Sequence, residues 1–244
     1  MDPRIITSYD PTNHKFSNEF LFETNDWDLI ELNYNIDIER LQEWYDRFSV
    51  EFKHLLFNFD NDHDKLDTEV SREMVENGYC GYRCGPIEGF TLAWVDEIYE
   101  PLPPTTQINM EKYPNIDPTS FRNESKVLLK FRTGYLEHLI NLTGEDAWRK
   151  AVISIHHPWM YIRQHIDSND LKIHIPIYSN DKALFHFGKD RDRSYHMKVG
   201  KAYILNTKDW HGTSNETDDG YKIHILSRIK PSVMQHVLAL TNEN

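Results

Sequence analysis

Between Ala151 and Leu226 the chain breaks into six short runs rich in β-branched and aromatic residues, and this stretch restricts the possible fold more than any other. The runs are Ala151-Val-Ile-Ser-Ile-His156, Trp159-Met-Tyr-Ile162, Lys172-Ile-His-Ile-Pro-Ile-Tyr178, Ala183-Leu-Phe-His-Phe187, Ala202-Tyr-Ile-Leu-Asn206 and Tyr221-Lys-Ile-His-Ile-Leu226. Each is short and bounded by turn residues, the pattern of strands and not of helices. So many strands at close intervals predict an antiparallel barrel or sandwich.

The remainder of the chain has a different texture. From Asp37 to about Phe57, the apolar residues Leu41, Trp44, Tyr45, Phe48, Phe52, Leu55 and Leu56 recur every three or four positions, which predicts a helix. A second helix is expected over Lys65 to Glu76, stopped at Gly78. Another covers the second half of Ser125 to Leu142. Residues 78–122 carry glycines and the Pro101-Leu-Pro-Pro104 turn, and read as long loops with short strands, of the kind that cover active sites. Residues 1–35 read as a surface wrap or as added edge strands.

At 244 residues the chain is long enough for one compact unit with a real core, and its 39% hydrophobic content places it among folded proteins. Lys and Arg number 27 against 39 Asp and Glu, a formal charge of −12. That balance argues against nucleic-acid binding, which relies on clustered cations. It also means that an anionic small molecule must find a local positive site within a negative field. The N-terminus lacks the apolar core of a signal peptide and no run approaches 18 apolar residues, so neither secretion nor membrane insertion is expected. Cys80 and Cys84 are too few for a disulfide framework or a four-thiolate zinc site, and a reduced, cytoplasmic setting is the default expectation.

With 13 histidines in the chain, any single one means little and arrangement must decide. His165-Ile166-Asp167 puts two metal-competent side chains two residues apart, on one face of an extended segment. His211, in Asp209-Trp-His-Gly212, completes two histidines and a carboxylate. This donor set can hold iron(II) on one face of an octahedron and leave three positions open for a cosubstrate and oxygen. Lys222 follows His211 by eleven positions, and alternation sends Lys222 and His224 to the same strand face. A lysine there can pair with the distal carboxylate of 2-oxoglutarate, an attraction that is strong inside a barrel.

From Ser154 to Leu226 the chain resembles the aspartyl/asparaginyl β-hydroxylase group of iron(II)- and 2-oxoglutarate-dependent oxygenases, which includes bacterial proline hydroxylases. The elements that carry the resemblance are Ser154-Ile-His-His-Pro158, His165-Ile-Asp167, Leu171-Lys-Ile-His174-Ile-Pro176, Val199-Gly-Lys-Ala202, Trp210-His211 with Asn215, and Lys222-Ile-His224. The resemblance implies a mainly β protein with a double-stranded β-helix core, jelly-roll and cupin-like, over residues 125–244. Residues 1–124 would then be a helical and loop-rich elaboration of the same unit. It implies iron ligation by His165, Asp167 and His211, and 2-oxoglutarate contacts from Ser154, Lys172, His174 and Lys222. It implies hydroxylation of an unactivated C–H bond of a free or peptidyl amino acid by molecular oxygen. The family usually has arginine where Lys172 and Lys222 stand, and the forked bonds of arginine are beyond lysine. Vertebrate-type members lack the carboxylate that Asp167 supplies, which moves this chain toward the proline hydroxylases.

Plainer alternatives accompany each residue. His174 and His224 could be hydrogen-bonded core histidines, Lys172 could reach solvent, and Ser154 could tie down its own backbone. His156, His157, His186 and His196 have no place in the pattern and read as surface or supporting groups. Arg83, beside Tyr79 and Tyr82, is a candidate to cover the active site. Two rival functions stand beside the oxygenase: a non-catalytic metal- or ligand-binding cupin-like barrel, and a zinc hydrolase using the same three ligands with a water.

Overall fold

The computed structural model describes residues 4–6, 17–58, 68–77, 83–95, 124–167 and 171–241. Two sheets face each other, antiparallel except where the edge strand Ile5–Ile6 joins Leu29–Asn35 in parallel. Eight strands build the core: β8 (Arg149–His156), β9 (Met160–His165), β10 (Leu171–Tyr178), β11 (Leu184–Phe187), β12 (Arg193–His196), β13 (Lys201–Asn206), β14 (His211–Asn215) and β15 (Lys222–Ile229). One sheet contains the order β13-β10-β15-β8 and the other β12-β11-β14-β9. The chain therefore crosses between sheets at every step except the β11–β12 hairpin. This is the double-stranded β-helix.

The N-terminal half extends this core. β1 (Ile5–Ile6) and β2 (Leu29–Asn35) lengthen the larger sheet beyond β13, while β5 (Ile87–Thr91) and β3 (Phe57–Asn58) lengthen it beyond β8. The short β4 (Arg83–Cys84) pairs with β9, and β6 (Ala93–Trp94) pairs with β7 (Lys126–Val127). The helices are α1 (Asn18–Glu23), α2 (Ile38–Glu51), α3 (Thr68–Glu76), α4 (Gly134–Thr143) and α5 (Pro231–Leu238). Among the described residues no helix is long and apolar enough to cross a membrane.

Alternation along three strands explains how the larger sheet serves two purposes. Ile153 and Ile155 of β8, Ile173, Ile175 and Ile177 of β10, and Ile223, Ile225 and Ile229 of β15 join one apolar core with Trp44 and Phe48 of α2, Leu136 and Ile140 of α4, and Met234 and Val237 of α5. Their neighbours Ser154, His156, Lys172, His174 and His224 face the space between the sheets and line a cavity. Both faces are buried, so these strands carry isoleucine on one side and polar groups on the other. α2 fits the expected helix, with Asp37 capping Arg40 N–H at 3.2 Å, but it ends at Glu51. A single 3₁₀ turn over Lys53–Leu55 continues it, carrying Leu55 and Leu56 back against the core.

Two expectations need correction. The six predicted strands miss β12 and β14, the second of which begins at His211. His-Gly-Thr-Ser-Asn reads as a turn because its residues are small and polar, yet all five are buried between β9 and β11. Gly212 is needed there, since a Cβ would stand 2.7 Å from the Ile162 carbonyl oxygen. Cys84 is buried and disulfide-bonded, contrary to the expectation of reduced thiols. The expected loop region 78–122 lies largely outside the described residues.

Candidate metal centre

β9 ends on His165 and β14 begins on His211, and these two residues face each other in register. Their ring centroids are 4.3 Å apart. Each ring is fixed in the same way: Nδ1 of His165 donates to the Arg163 carbonyl at 2.9 Å, and Nδ1 of His211 to the Asp209 carbonyl at 2.9 Å. A carbonyl on Nδ1 sets the tautomer that presents Nε2 as a ligand. Asp167 lies just beyond β9, where its N–H donates to the Thr207 carbonyl at 2.9 Å. Its Oδ1 is 3.7 Å from His165 Nε2 and its Oδ2 is 3.7 Å from His211 Nε2. The three donor atoms fall within 4.8 Å of one another, a group that could hold a metal ion.

Charge at this corner is tightly balanced. The Lys172 ammonium contacts Asp167 Oδ2. Burial alone would raise the carboxyl pKa of Asp167, but the neighbouring His211 ring and the Lys172 charge hold it far below the usual range. His165 is pushed down by burial and by His211. Asp167 is thus ionised and His165 neutral near pH 7, the protonation states a metal requires.

The cavity beside this corner has a volume of about 240 Å³. His156, His174 and His224 line it. Lys222 pairs across the sheet with His156, and His224 pairs with Ser154, so two alternate positions on each of two strands present polar groups to the same face. Lys222 is 1% exposed; its ammonium contacts Thr213 Oγ1, lies 3.4 Å from the Leu184 carbonyl, and sits 3.8 Å from the Phe185 ring centroid. No carboxylate of the described residues pairs with it, and burial holds its pKa well below the usual lysine value. His156, His174 and His224 are likewise driven well below the ordinary histidine range, first by burial. Both ring nitrogens of His174 and His224, and Nδ1 of His156, are buried without a hydrogen-bond partner.

Buried, unpartnered polar atoms are costly. Each neutral imidazole keeps one N–H donor, and unpartnered donors of this kind beside a buried lysine fit an anionic ligand that supplies the acceptors. The His-Asp-His set fits a first-row metal with open positions. The two features share one cavity.

The structure thus brings His165, Lys172, His174, Ser154 and His211 to one cavity, with Asp167 at its edge and Lys222 behind its wall. Arg83 lines it as well. Sequence reasoning missed His156, which lines the cavity and is neither a surface group nor remote, and also Thr213, Lys150 and Arg228. The signal for His156 was cross-strand register, which no single run of sequence contains. His186 is a buried supporting group, bonded to Ser194 at 2.7 Å and Ser214 at 2.8 Å, with its pKa pushed down by burial to about 3.

The sequence profile of the aspartyl/asparaginyl beta-hydroxylase family matches residues 125–230. No curated protein sequence matches the chain. Among solved structures, a prolyl-4-hydroxylase of Pseudomonas putida aligns over 83% of this chain and 93% of its own, at 7% identity and a TM-score of 0.39. An oxidoreductase of the 2OG-Fe(II) oxygenase family from Burkholderia pseudomallei aligns over 68% of this chain and 91% of its own, at 8% identity and a TM-score of 0.33. The profile match spans β8 through β15 and both sides of the His165, Asp167 and His211 cluster: over residues 125–230 this chain is similar to the aspartyl/asparaginyl β-hydroxylase family.

Proposed function

We propose that this protein is an iron(II)- and 2-oxoglutarate-dependent oxygenase that hydroxylates an unactivated C–H bond of a free or peptidyl amino acid. The observation that carries this reading is the juxtaposition, around one cavity, of a two-histidine, one-carboxylate cluster and a fully buried lysine that pairs with no carboxylate among the described residues. The family match over residues 125–230 supports it.

His165, Asp167 and His211 would hold the metal from one side, through Nε2 atoms set by the Arg163 and Asp209 carbonyls. Lys222 would meet the distal carboxylate of 2-oxoglutarate, with Ser154 and His174 as further donors. Lys172 would neutralise the ligating carboxylate of Asp167 and face the cosubstrate from the same corner. Val152, Ile162, Phe185, Leu205 and Leu226 give the cavity an apolar lining that limits water and strengthens each charged contact. Iron(II), 2-oxoglutarate and oxygen, when bound, supply the oxidising power, and the protein contributes ligation, orientation and exclusion of solvent.

The decisive measurement is succinate release from 2-oxoglutarate with iron(II), ascorbate and oxygen, across candidate amino acids and peptides. Turnover above a His165→Ala control is expected, and zinc should inhibit it. A second reading draws on the Lys172 contact, since an ammonium on Asp167 competes with a metal: a ligand-binding barrel without turnover. Tight 2-oxoglutarate binding with no succinate above the control would favour that reading. Activation by zinc would favour a hydrolase.

A further inference from the structure

The N-terminal segment, for which the sequence offered no motif, reaches the metal corner through a partly buried ion network centred on the buried Asp28. β1 pairs in parallel with β2, Ile5 against Leu29. That register sets Arg4 beside Asp28, whose N–H donates to the Arg4 carbonyl at 2.8 Å. The Arg4 guanidinium then makes three attachments. It bonds Asp28 Oδ1 at 2.8 Å, the Asn25 carbonyl at 2.7 Å and Asp209 Oδ2 at 2.7 Å. Asp28 is 1% exposed, and its other oxygen is held by Arg193 Nε at 2.7 Å. Arg193 also pairs with Asp192, at 2.5 Å.

Asp209 matters because of what its backbone does. Its carbonyl accepts from His211 Nδ1, while its own Oδ1 accepts from the Trp210 N–H at 2.7 Å. Its side chain therefore closes the turn that directs His211, and Arg4 grips the free side of that carboxylate. The same network touches the second ligand strand. The Asp28 carbonyl accepts from Asn206 N–H at 2.9 Å, and the next residue, Thr207, accepts from the Asp167 N–H. Asn206 is itself 1% exposed and donates through its side chain to the Trp27 carbonyl at 2.9 Å.

Resting on the metal-centre reading above, we propose that Arg4 and Asp28 are positioning residues that clamp the Asp209 turn and so direct His211 and Asp167 toward a common metal. Neither touches the metal. Their effect passes through the carbonyls of Asp209 and Thr207, the part of a metal site that fixes ligand orientation.

The test is cobalt(II) binding to the full-length chain, followed by its visible spectrum and by titration, with thermal stability measured in parallel. Arg4→Gln and Asp209→Asn should weaken cobalt binding roughly tenfold, the lower end of the effect of partners one bond nearer the metal, and should alter the spectrum. Asp209→Asn leaves the Asp28 ion pairs intact, so it decides the matter if Arg4→Gln fails to fold. Arg4→Lys should recover part of the affinity. Arg193→Gln, which removes a partner from the same buried Asp28 but does not reach Asp209, should lower the melting temperature without changing the spectrum. Wild-type cobalt affinity and spectrum in Arg4→Gln and Asp209→Asn would overturn the proposal. So would a loss of affinity in all three variants that merely tracks melting temperature. Failure of the wild-type chain to bind cobalt would overturn the metal-centre reading itself, and this inference with it.

Discussion

Replacing Lys222 with methionine should make the protein more stable and less able to bind 2-oxoglutarate. Lys222 is 1% exposed, has no carboxylate partner among the described residues, and sits against the Phe185 ring. Methionine fills a similar volume without a charge, and the Thr213 hydroxyl keeps its bond to the Leu184 carbonyl at 2.9 Å. Replacing buried charge by apolar side chains of matched size gains about 1–4 kcal/mol where it gains at all. At ~2–4 °C per kcal/mol for a chain of this size, the melting temperature should rise by at least about 2 °C.

The pH dependence follows from the sign of the shift. The folded pKa of Lys222 is depressed, so between that pKa and 10.5 the unfolded chain binds more protons and wild-type stability climbs with pH. Lys222→Met should lose that slope. Binding moves the other way. A hydrogen bond to a charged group contributes about 1.5–3 kcal/mol, which at ~1.4 kcal/mol per tenfold is roughly a 10- to 150-fold rise in the 2-oxoglutarate Kd. Calorimetric titration of iron-loaded protein under nitrogen measures the Kd, and thermal melts of the metal-free protein measure stability. Unchanged affinity together with a lowered melting temperature would refute the reasoning, because Lys222 would then be a structural group and not an anion anchor.

Other perturbations give separate checks. Asp167→Ala should abolish stoichiometric cobalt or iron binding, read by equilibrium dialysis, while thermal stability stays within a few degrees of wild type. His156, His174 and His224 are held neutral by burial, so the stability they allow is fully present above pH 6.5 and is lost as pH falls below it; melts from pH 7.5 to 5 should show a decline of up to about 1.4 kcal/mol per pH unit for each group, shallower in His224→Phe. Gly212→Ala would set a Cβ 2.7 Å from the Ile162 carbonyl and 3.1 Å from the Gln164 nitrogen; it should cost about 1–3 kcal/mol in a denaturant titration and weaken metal binding by displacing His211. In a chain of charge −12, the far field repels a dianion; stopped-flow association of 2-oxoglutarate should therefore speed up with added salt while dissociation changes little.

What could be read from the sequence divides along a physical line. Alternation within a strand is local, so the isoleucine and polar faces of β10 and β15 could be anticipated, and with them the common direction of Lys222 and His224. His165 and Asp167 stand two residues apart, so that pair could be read locally, whereas His211 lies far along the chain and was joined to them by its chemistry and by the family resemblance. Pairing between strands is not local. The apposition of Lys222 and His156 arises from the β15–β8 register, and His156 accordingly looked like one of many unassigned histidines. β14 escaped notice because its residues suit a turn, and only burial between two neighbours makes it a strand. Arg4 was illegible for the same reason: its partners Asp28 and Asp209 lie 24 and 205 residues away.

Register also ties the stability of the barrel to the direction of its site. In β8, β10 and β15 the isoleucines that bury themselves under α2, α4 and α5 occupy every second position, and the cavity groups occupy the positions between. A slip of one residue in β15 would carry Lys222 and His224 out beneath the helices and turn Ile223 and Ile225 into the cavity. Each buried isoleucine resists that slip by about 1.5–3 kcal/mol of hydrophobic transfer, and each cation forced into the apolar layer would add its own desolvation cost. The helical layer therefore does more than cover the sheet. By holding the isoleucines in place it fixes which side chains of the same strands can reach a ligand, so a substitution in the outer core, far from the metal corner, would act on the site through register before it acted through contact.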